Sequence, residues 1–381
     1  MHRAYLDHAS TAPLRVEALD AMVEALQSLP GDPGRIHEEG MASRVALETA
    51  REQVAGLLGA RGREVVFTSS ATEAIGAATW GAAERARSRE PGLRCQQVVT
   101  AVEHSAVRRS AERAGDVAVV AVDGRGRVDV DAVIDAIGPT TALVHVQWAN
   151  HEVGTLQPVA EVVAACRERR VLVHVDAAQA AGRVPIDFGG LGADLLSVSG
   201  HKLGGPAGTG ALLVRRGLRL PPLLVGGDQE RARRAGLEPV AAMVGFGAAC
   251  AALAGTALDA EAAEAWRLTD QIRAAVVDID GIELYGHPTA RLPHLVCLGI
   301  EGIEPQGVLL GLDRAGVAAH SGSSCSSESL EPSPVLEAIG VDAHRSLRAS
   351  VGWSTTENDV ERFLDALPVT IDRLRTLASR G

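Results

Sequence analysis

Residues 171–202 read VLVHVDAAQAAGRVPIDFGGLGADLLSVSGHK, and this stretch decides the fold. It contains two short apolar runs, VLVHV and LLSV, which are typical of strands covered on both faces of a sheet. Each run leads directly into polar residues: Asp176 and Gln179 follow the first, and Ser199, His201 and Lys202 follow the second. In open parallel sheets, ligands bind beyond the carboxyl ends of the strands. The stretch therefore predicts two buried parallel strands with a ligand site where they end.

The same pattern continues on both sides of this stretch. Similar apolar runs predict strands over Val65–Thr68, Val98–Ala101, Val117–Val122, Leu143–Val146 and Leu212–Val214. Helical spacing predicts intervening helices over Thr72–Arg87, Ser105–Ala114, Val130–Ile137 and Val159–Arg169. Strands that alternate with helices of this length predict an α/β fold, in which a mostly parallel sheet carries helices on both faces.

The pattern changes after about residue 258, which indicates a second domain. A helix is predicted over Ala260–Ile279, and a final helix is predicted near Glu357–Ala378. Short apolar segments and a Gly/Ser-rich segment lie between them. We therefore expect a large α/β domain over residues 16–258 and a smaller α+β domain formed by residues 1–15 and 259–381.

Composition excludes several classes of function. The net charge is −11 and aromatic residues make up 3% of the chain, so we expect no direct nucleic-acid binding and no anionic-membrane surface, which need a basic face. Residues 239–258 are uncharged but consist mainly of Ala, Gly and Thr, which favours a buried helix over a membrane span. The five cysteines lack disulfide or metal-site spacing, and no signal peptide is recognised. We expect a cytoplasmic protein without a metal.

Polar clusters follow five of the predicted strands. If the strands lie side by side, the clusters converge on one crevice. Ser, Thr and Asp are ordinary helix caps after a strand, but capping alone does not account for the His, Asn, Gln and Lys residues. The clusters are Ser69–Glu73, Glu103–Ser105, Asn150–Glu152, Asp176–Gln179 and Ser199–Lys202.

Three of these clusters together suggest one cofactor. The helix start at Ser70 offers amide groups and a hydroxyl that suit a phosphate. Asp176 follows a buried strand, and a buried carboxylate needs a cation such as a protonated ring nitrogen. Lys202 lies in a Gly-rich turn, where desolvation favours the neutral amine that forms a Schiff base. Taken separately, these three features are explained by a helix cap, an internal ion pair and a surface lysine. Taken together, the three features match the groups that bind pyridoxal 5′-phosphate.

The motifs of the chain resemble those of the cysteine desulfurases, which are class V, fold-type I pyridoxal-phosphate enzymes. HVDAAQ followed by SGHK, with FTSSATE upstream, is similar to the signature of the superfamily. SGSSCSSESLEPS resembles the long catalytic loop of the NifS/IscS-like branch. Further motifs in the same order are AYLDHASTAP, GDPGRIH, VEHSAV, ANHEVGTLQP, GGDQER and LRASVGWSTTEND. The resemblance covers residues 4–366 and implies the fold-type I architecture for the large domain.

The resemblance also implies a role for each cofactor-binding residue. Lys202 would carry the cofactor, Asp176 would pair with its ring nitrogen, and Gln179 would bond to its ring hydroxyl. His104 would stack on the ring and move protons. The phosphate would be held by Ala71, Thr72, Ser199 and His201.

The implied reaction converts L-cysteine to L-alanine and leaves the sulfur as a persulfide on Cys325, for delivery to an acceptor protein. Cys325 lies among Ser and Gly residues, which fits an accessible nucleophile better than a buried thiol. Arg348 would bind the substrate carboxylate through its planar guanidinium, and Asn150 would also contact the substrate. A homodimer is implied as well.

Three residues depart from the pattern of the family. His151 stands where most relatives have Asn, although its imidazole can still donate a hydrogen bond to the cofactor. Leu237 replaces a Thr that reaches the partner subunit's phosphate, which should weaken binding by about 1 kcal/mol. Trp353 stands where an Arg is usual. A selenocysteine lyase, another class V aminotransferase or epimerase, and a catalytically degenerate binding subunit therefore stay open as alternatives.

Overall fold

A computed structural model describes residues 3–322 and 332–379. The α-helices of these residues are α1 (Val16–Ser28), α2 (Glu38–Leu57), α3 (Ala71–Arg89), α4 (Ser105–Ala114), α5 (Val130–Ala136), α6 (Val159–Arg169), α7 (Phe188–Leu191), α8 (Gln229–Ala232), α9 (Val240–Ala251), α10 (Ala257–Val276), α11 (Pro305–Arg314), α12 (Pro334–Ala338) and α13 (Glu357–Ala378). The strands are β1 (Ala4–Tyr5), β2 (Val65–Thr68), β3 (Gln96–Thr100), β4 (Asp116–Val120), β5 (Thr141–Gln147), β6 (Leu172–Asp176), β7 (Leu195–Ser199), β8 (Gly210–Val214), β9 (Ile282–Tyr285), β10 (Leu295–Ile300), β11 (Val317–Ala318) and β12 (Ser346–Ser350).

A seven-stranded sheet with the order β2-β8-β7-β6-β5-β3-β4 organises the larger part of the molecule. Strand β8 is antiparallel to both of its neighbours, and the other pairs in this sheet are parallel. Side chains alternate between the two faces, so Phe67 packs in one core while Val66 packs in another. The predicted α/β class with a mostly parallel sheet covered on both faces is confirmed.

The uncharged stretch at residues 239–258 contains α9, a helix that packs against α1 and α2. Its small residues allow this close packing: a Cβ atom at Gly247 would lie 2.6 Å from the Cα atom of Ala50. The expectation of a buried helix here is correct. Among the described residues, no helix has the length and apolar character needed to cross a bilayer.

The C-terminal part of the chain builds a separate core. An antiparallel sheet with the order β12-β10-β9 packs with residues of α10, α11 and α13. Strand β1 pairs in parallel with β11, and Ala4 and Leu6 are buried in this same core. The packing agrees with the grouping of residues 1–15 with residues 259–381, whose boundaries we keep as a proposal.

Candidate active site

The carboxyl ends of β2, β3, β5, β6 and β7 surround one cavity of about 260 Å³. The structure therefore brings together the polar clusters that follow these five strands. The predicted residues that line the cavity are Ala71, Thr72, His104, His151, Asp176, Gln179, Ser199, His201, Lys202 and Arg348. Two predicted site residues are not among them: Asn150 lies outside the lining, and Cys325 lies outside the described residues.

One end of the cavity offers a seat for an anion. Ser70 caps α3, and its hydroxyl accepts a hydrogen bond from the Glu73 amide at 3.2 Å. The first-turn amides of a helix have no carbonyl partner within the helix, so Ala71 and Thr72 present donors to a ligand. Ser199, at the end of β7, completes this part of the lining. The donors suit a phosphate group.

Asp176 provides a buried carboxylate at the end of β6, where it can bind a cationic group. Burial raises the pKa of Asp176, while the Ala178 amide, Lys202 and the Ser197 hydroxyl lower it. The Ala178 amide donates to Oδ1 at 3.0 Å and the Ser197 hydroxyl donates to the same atom at 3.2 Å. Because both donors reach Oδ1, the second oxygen is available to a cationic group in the cavity.

Lys202 is presented to the cavity by a tight turn after β7, the 3-10 helix Gly200–Lys202. The turn requires glycine at its start, since a Cβ atom at Gly200 would lie 2.2 Å from Oγ1 of Thr209. Gln179 donates from Nε2 to the carbonyl of Ala9 at 2.7 Å, which fixes the orientation of its amide. An anion seat, a buried carboxylate and an amine in one cavity fit pyridoxal 5′-phosphate.

The imidazole of His104 is a neutral donor. Its Nδ1 atom caps α4 by accepting from the Ala106 amide at 3.1 Å, so Nε2 carries the hydrogen. Burial, and the neighbouring charges of His151 and Lys202, lower the pKa of His104 to about 3. The His104 and His151 rings meet edge to face, with centroids 5.1 Å apart. His104 therefore offers an N–H group at neutral pH.

Arg348 is fully buried, and its guanidinium already has partners. It donates to the carbonyl of His151 at 2.7 Å, to Asp7 at 3.0 Å and to the Ser10 hydroxyl at 2.8 Å. A substrate carboxylate at this position would therefore compete with Asp7 for one arm of the guanidinium. The Nε atom of Arg348 has no hydrogen-bond partner among the described residues.

Asn150 serves the backbone instead of the cavity. Its amide oxygen accepts from the amides of Glu152 and Val153, both at 2.8 Å, and its amide nitrogen donates to the carbonyl of Val102 at 3.2 Å. The side chain shapes the turn that presents His151. Asn150 therefore supports the backbone beside the cavity. The expected contact of its side chain with substrate is not seen, because the side chain does not line the cavity.

Two polar residues of the site, Asp7 and Ser10, were not predicted from the sequence, and Glu103 was predicted only as a member of a polar cluster. Asp7 and Ser10 reach the site from the N-terminal segment, and the only sequence signal for them is the AYLDHASTAP motif. Glu103 lies fully buried beside Asp176, and burial raises its pKa to about 8 despite hydrogen bonds from Thr100 and the Gln147 amide. Its position next to His104 in the VEHSAV motif was the available signal.

The chain on either side of residues 323–331 is anchored beside the cavity. His320 exchanges backbone hydrogen bonds with Arg348 at 3.1 and 2.7 Å. On the other side, the Ser333 hydroxyl donates to the buried carboxylate of Glu152, the neighbour of His151. The described residues on the two sides of this gap therefore lie next to Arg348 and His151, which line the cavity.

The four cysteines within the described residues are free and buried, unlike an accessible nucleophile. Burial raises the pKa of the Cys166 and Cys297 thiols to about 12 and also raises the pKa of Cys95 and Cys250. A thiol in such surroundings stays protonated and unreactive at neutral pH.

The other two departures from the family pattern lie outside the cavity lining. Leu237 is 62% exposed. The indole of Trp353 donates to the carbonyl of Pro13 at 2.9 Å, and the Arg15 guanidinium lies 5.6 Å from the centroid of its ring. Trp353 therefore helps to fix the N-terminal segment that supplies Asp7 and Ser10.

The chain is similar to known proteins over nearly its full length. Residues 4–363 match the family described as Aminotransferase class-V. Cysteine desulfurase IscS from Methanosarcina thermophila is 39% identical, over 98% of this chain and 93% of that protein. Among solved structures, a NifS-like protein has a TM-score of 0.90 at 29% identity and covers 98% of this chain and 100% of its own. A structure of SspA in complex with cysteine has a TM-score of 0.80 at 28% identity and covers 93% of this chain and 100% of its own.

Proposed function

Because this chain belongs to the class V aminotransferase family and, within it, to the pyridoxal-phosphate-dependent cysteine desulfurases, we propose that the cavity described above removes sulfur from L-cysteine and that Cys325 receives it. The enzyme converts L-cysteine to L-alanine and passes the sulfur, as a persulfide on one of its own cysteines, to an acceptor protein. When bound, pyridoxal phosphate supplies an electron-withdrawing ring that stabilises negative charge developing on the substrate. The residues around the cavity supply the rest of the chemistry.

Three groups hold the cofactor in this proposal. Lys202 would hold the cofactor covalently through its amine, and the same amine would move protons when it is free. Asp176 would pair with the ring nitrogen through the oxygen that Ala178 and Ser197 leave available. The helix start at Ala71 and Thr72, together with Ser199 and His201, receives the phosphate.

Three further residues would orient the ring and the substrate: Gln179, His104 and Arg348. Gln179 would bond to the ring hydroxyl and His104 would stack on the ring. The Nδ1 atom of His104 is occupied by the Ala106 amide, so its Nε2–H group is the donor that remains. Arg348 binds the substrate carboxylate, and its anchoring to the carbonyl of His151 keeps the guanidinium fixed while Asp7 gives way. The proposal assigns Asn150 only the support of His151.

The observation that carries the assignment of Cys325 is the burial of the other four cysteines. A thiolate is needed to attack the substrate sulfur, and the raised pKa values of the buried thiols exclude them from this role at neutral pH. The new S–S bond forms as the Cβ–S bond of the substrate breaks. The bonding electrons stay with the substrate carbon, which takes up a proton to give alanine. The anchors at His320 and Ser333 hold both flanks of the Cys325 segment beside the cavity.

Turnover of L-cysteine tests this proposal directly. Purified protein with a reductant should release sulfide and alanine in equal amounts. The C325A variant should lose most of this activity, whereas C250A, which alters a buried thiol, should keep it. Full activity of C325A, or production of pyruvate or a keto acid in place of alanine, would contradict the proposal.

We also propose that two chains associate and that the protein works in the cytoplasm. Helix α1 leaves an apolar stripe exposed at helical spacing, formed by Val16, Leu19, Val23 and Leu26. A contiguous apolar face of this kind is typical of an interface. The free thiols of the described cysteines agree with a reducing compartment.

A further inference from the structure

Two buried histidines lie beneath the cavity, on the central strands of the large sheet. His145 of β5 and His174 of β6 stand directly opposite each other in the parallel register. Their Nδ1 atoms are 3.0 Å apart, and both side chains are at most 1% exposed. Neither residue lines the cavity, so their contact with it must be indirect.

The pair is connected to Asp176 through one hydroxyl group. Ser197 of β7 stands opposite Asp176 in the register, and its Oγ atom lies 3.1 Å from Nε2 of His174 and 3.2 Å from Oδ1 of Asp176. The four side chains therefore form a continuous hydrogen-bonded chain from His145 to the carboxylate.

The number of available protons allows this chain only two directions. If the Ser197 hydroxyl donates to an ionised Asp176, it must accept from Nε2–H of His174, whose Nδ1 then accepts from Nδ1–H of His145. In the reverse direction, a protonated Asp176 donates to Ser197, and the Ser197 hydroxyl donates to Nε2 of His174. His174 then donates from Nδ1 to Nδ1 of His145, so His145 carries its own hydrogen on Nε2. The reverse direction therefore requires a protonated Asp176, whereas an ionised Asp176 imposes the first direction.

Two observations favour the first direction. The Ala178 amide also donates to Oδ1 of Asp176, and an ionised oxygen accepts two donors better than a protonated one. The outer atom of the chain, Nε2 of His145, is buried with no hydrogen-bond partner among the described residues. In the reverse direction this atom would be a buried N–H donor without an acceptor, whereas in the first it is an unprotonated nitrogen.

We propose that His145, His174 and Ser197 are positioning residues that donate in sequence toward Asp176 and hold its carboxylate ionised and fixed for a cationic ring nitrogen. This inference deepens the proposed function, because it rests on Asp176 as the partner of that ring. It assigns a purpose to the two histidines, which the reaction itself does not use.

The charged surroundings of Asp176 are consistent with this role. Burial raises the pKa of Asp176, the charges of Lys202 and His151 favour its ionised form, and Glu103 is the neighbouring carboxyl group. Burial lowers the pKa of His145 to about 3 and lowers the pKa of His174 well below its usual value. Both imidazoles are therefore neutral. Neutral rings are required if each one donates a single hydrogen bond and accepts another along the series from His145 to Asp176.

The tautomers of the wild-type protein provide the first test. In full-length protein with ¹⁵N-labelled histidine, loaded with cofactor, long-range NMR correlations distinguish protonated from unprotonated ring nitrogens. H145N and H174N serve to assign the signals. We expect His145 to carry its hydrogen on Nδ1 and His174 on Nε2. The opposite tautomers, or a positively charged ring at either position, would overturn the proposal.

The ionisation of Asp176 provides the second test. Full-length protein with ¹³C-labelled aspartate is freed of cofactor, and the carboxyl signal of Asp176, assigned with D176N, is titrated. In S197A the midpoint should rise by about one pH unit, as expected for loss of one hydrogen bond to a charged acceptor, and S197T should restore it. S43A removes a buried hydroxyl that is not part of the hydrogen-bonded series from His145 to Asp176, and it should leave the midpoint unchanged. An unchanged midpoint in S197A would overturn the proposal.

These readouts do not depend on sulfur transfer. If the tautomers and the titration fail while L-cysteine is still converted to alanine, only the donor chain is wrong. If they succeed while turnover fails, the error lies in the proposed function.

Discussion

Glu103 illustrates how burial beside the cofactor cavity changes the chemistry of a single residue. Burial raises the pKa of its carboxyl group to about 8, and the charge of Asp176 adds to this effect. The raised pKa means that the folded state binds a proton that the unfolded state releases at lower pH. The contribution of Glu103 to stability is therefore fully present below the unfolded pKa of about 4.3 and is lost as the pH rises through about 8.

The E103Q variant should remove this pH dependence, because a glutamine amide imitates the neutral acid. Between about pH 5.5 and pH 8, the free energy of unfolding of the wild type should fall by about 3 kcal/mol relative to that of E103Q. Urea denaturation at both pH values measures the difference. E361Q, a change at an exposed glutamate, is the control and should track the wild type. Parallel curves for wild type and E103Q would show that Glu103 is ionised in the folded protein at both pH values.

At this scale, the sequence predicted the residues whose position follows from a strand end. Asp176, Lys202 and His104 each come just after an apolar run, so the topology of a parallel sheet is enough to bring them together. Asp7 was out of reach because its contact with Arg348 joins the two ends of the chain. His174 was out of reach as well, since a histidine within an apolar run has no pattern that reveals its partner.

At the level of elements, helices with clear ends were predicted closely. Helices α4 and α6 have the predicted bounds, and so does β2. Helices α1 and α2 were not predicted, although residues 16–57 were assigned to the large domain. The reversal of β8 was also beyond reach, because an apolar run indicates burial but not direction.

A buried ion pair between Arg51 and Glu230 stabilises the loop around α8, which comes after the strands of the large sheet in the sequence. The Arg51 guanidinium binds both oxygens of Glu230, at 2.6 and 2.7 Å, and the Phe67 amide donates to the same carboxylate at 2.8 Å. Glu230 itself has a positive φ of 48°, a conformation that costs free energy in a residue with a side chain. The ion pair therefore stabilises a strained turn.

Removing one partner of this pair should be costly. We expect E230A to lower the free energy of unfolding by about 3–5 kcal/mol, because it leaves the buried Arg51 charge with only the half-exposed Glu48 as an ionic partner. E48A removes the half-exposed second partner of Arg51 and should cost less than about 1 kcal/mol. Chemical denaturation measures the free energy of unfolding of both variants. Equal losses of this free energy would show that the buried pair contributes no more than the half-exposed one.

For the whole molecule, the exposed stripe of α1 predicts self-association. Wild-type protein should elute with about twice the mass of the 39.6 kDa chain in light-scattering chromatography. A double variant, L19E and L26E, places charges on the stripe and should shift the protein to the mass of one chain.

Leu377 offers a matched control, since it is 60% exposed on α13, outside the stripe. L377E should keep the mass of the wild type. A wild-type mass of one chain would contradict the proposed dimer, and a double variant that keeps the wild-type mass would place the interface elsewhere.

The most direct test of sulfur transfer to Cys325 is the mass of the intact protein after incubation with L-cysteine in the absence of reductant. The wild type should gain one sulfur atom, peptide mapping should locate this atom on the peptide containing Cys325, and C325A should gain none. A sulfur atom on the peptide of Cys95, Cys166, Cys250 or Cys297, or a chain that turns over L-cysteine without acquiring sulfur, would contradict sulfur transfer to Cys325.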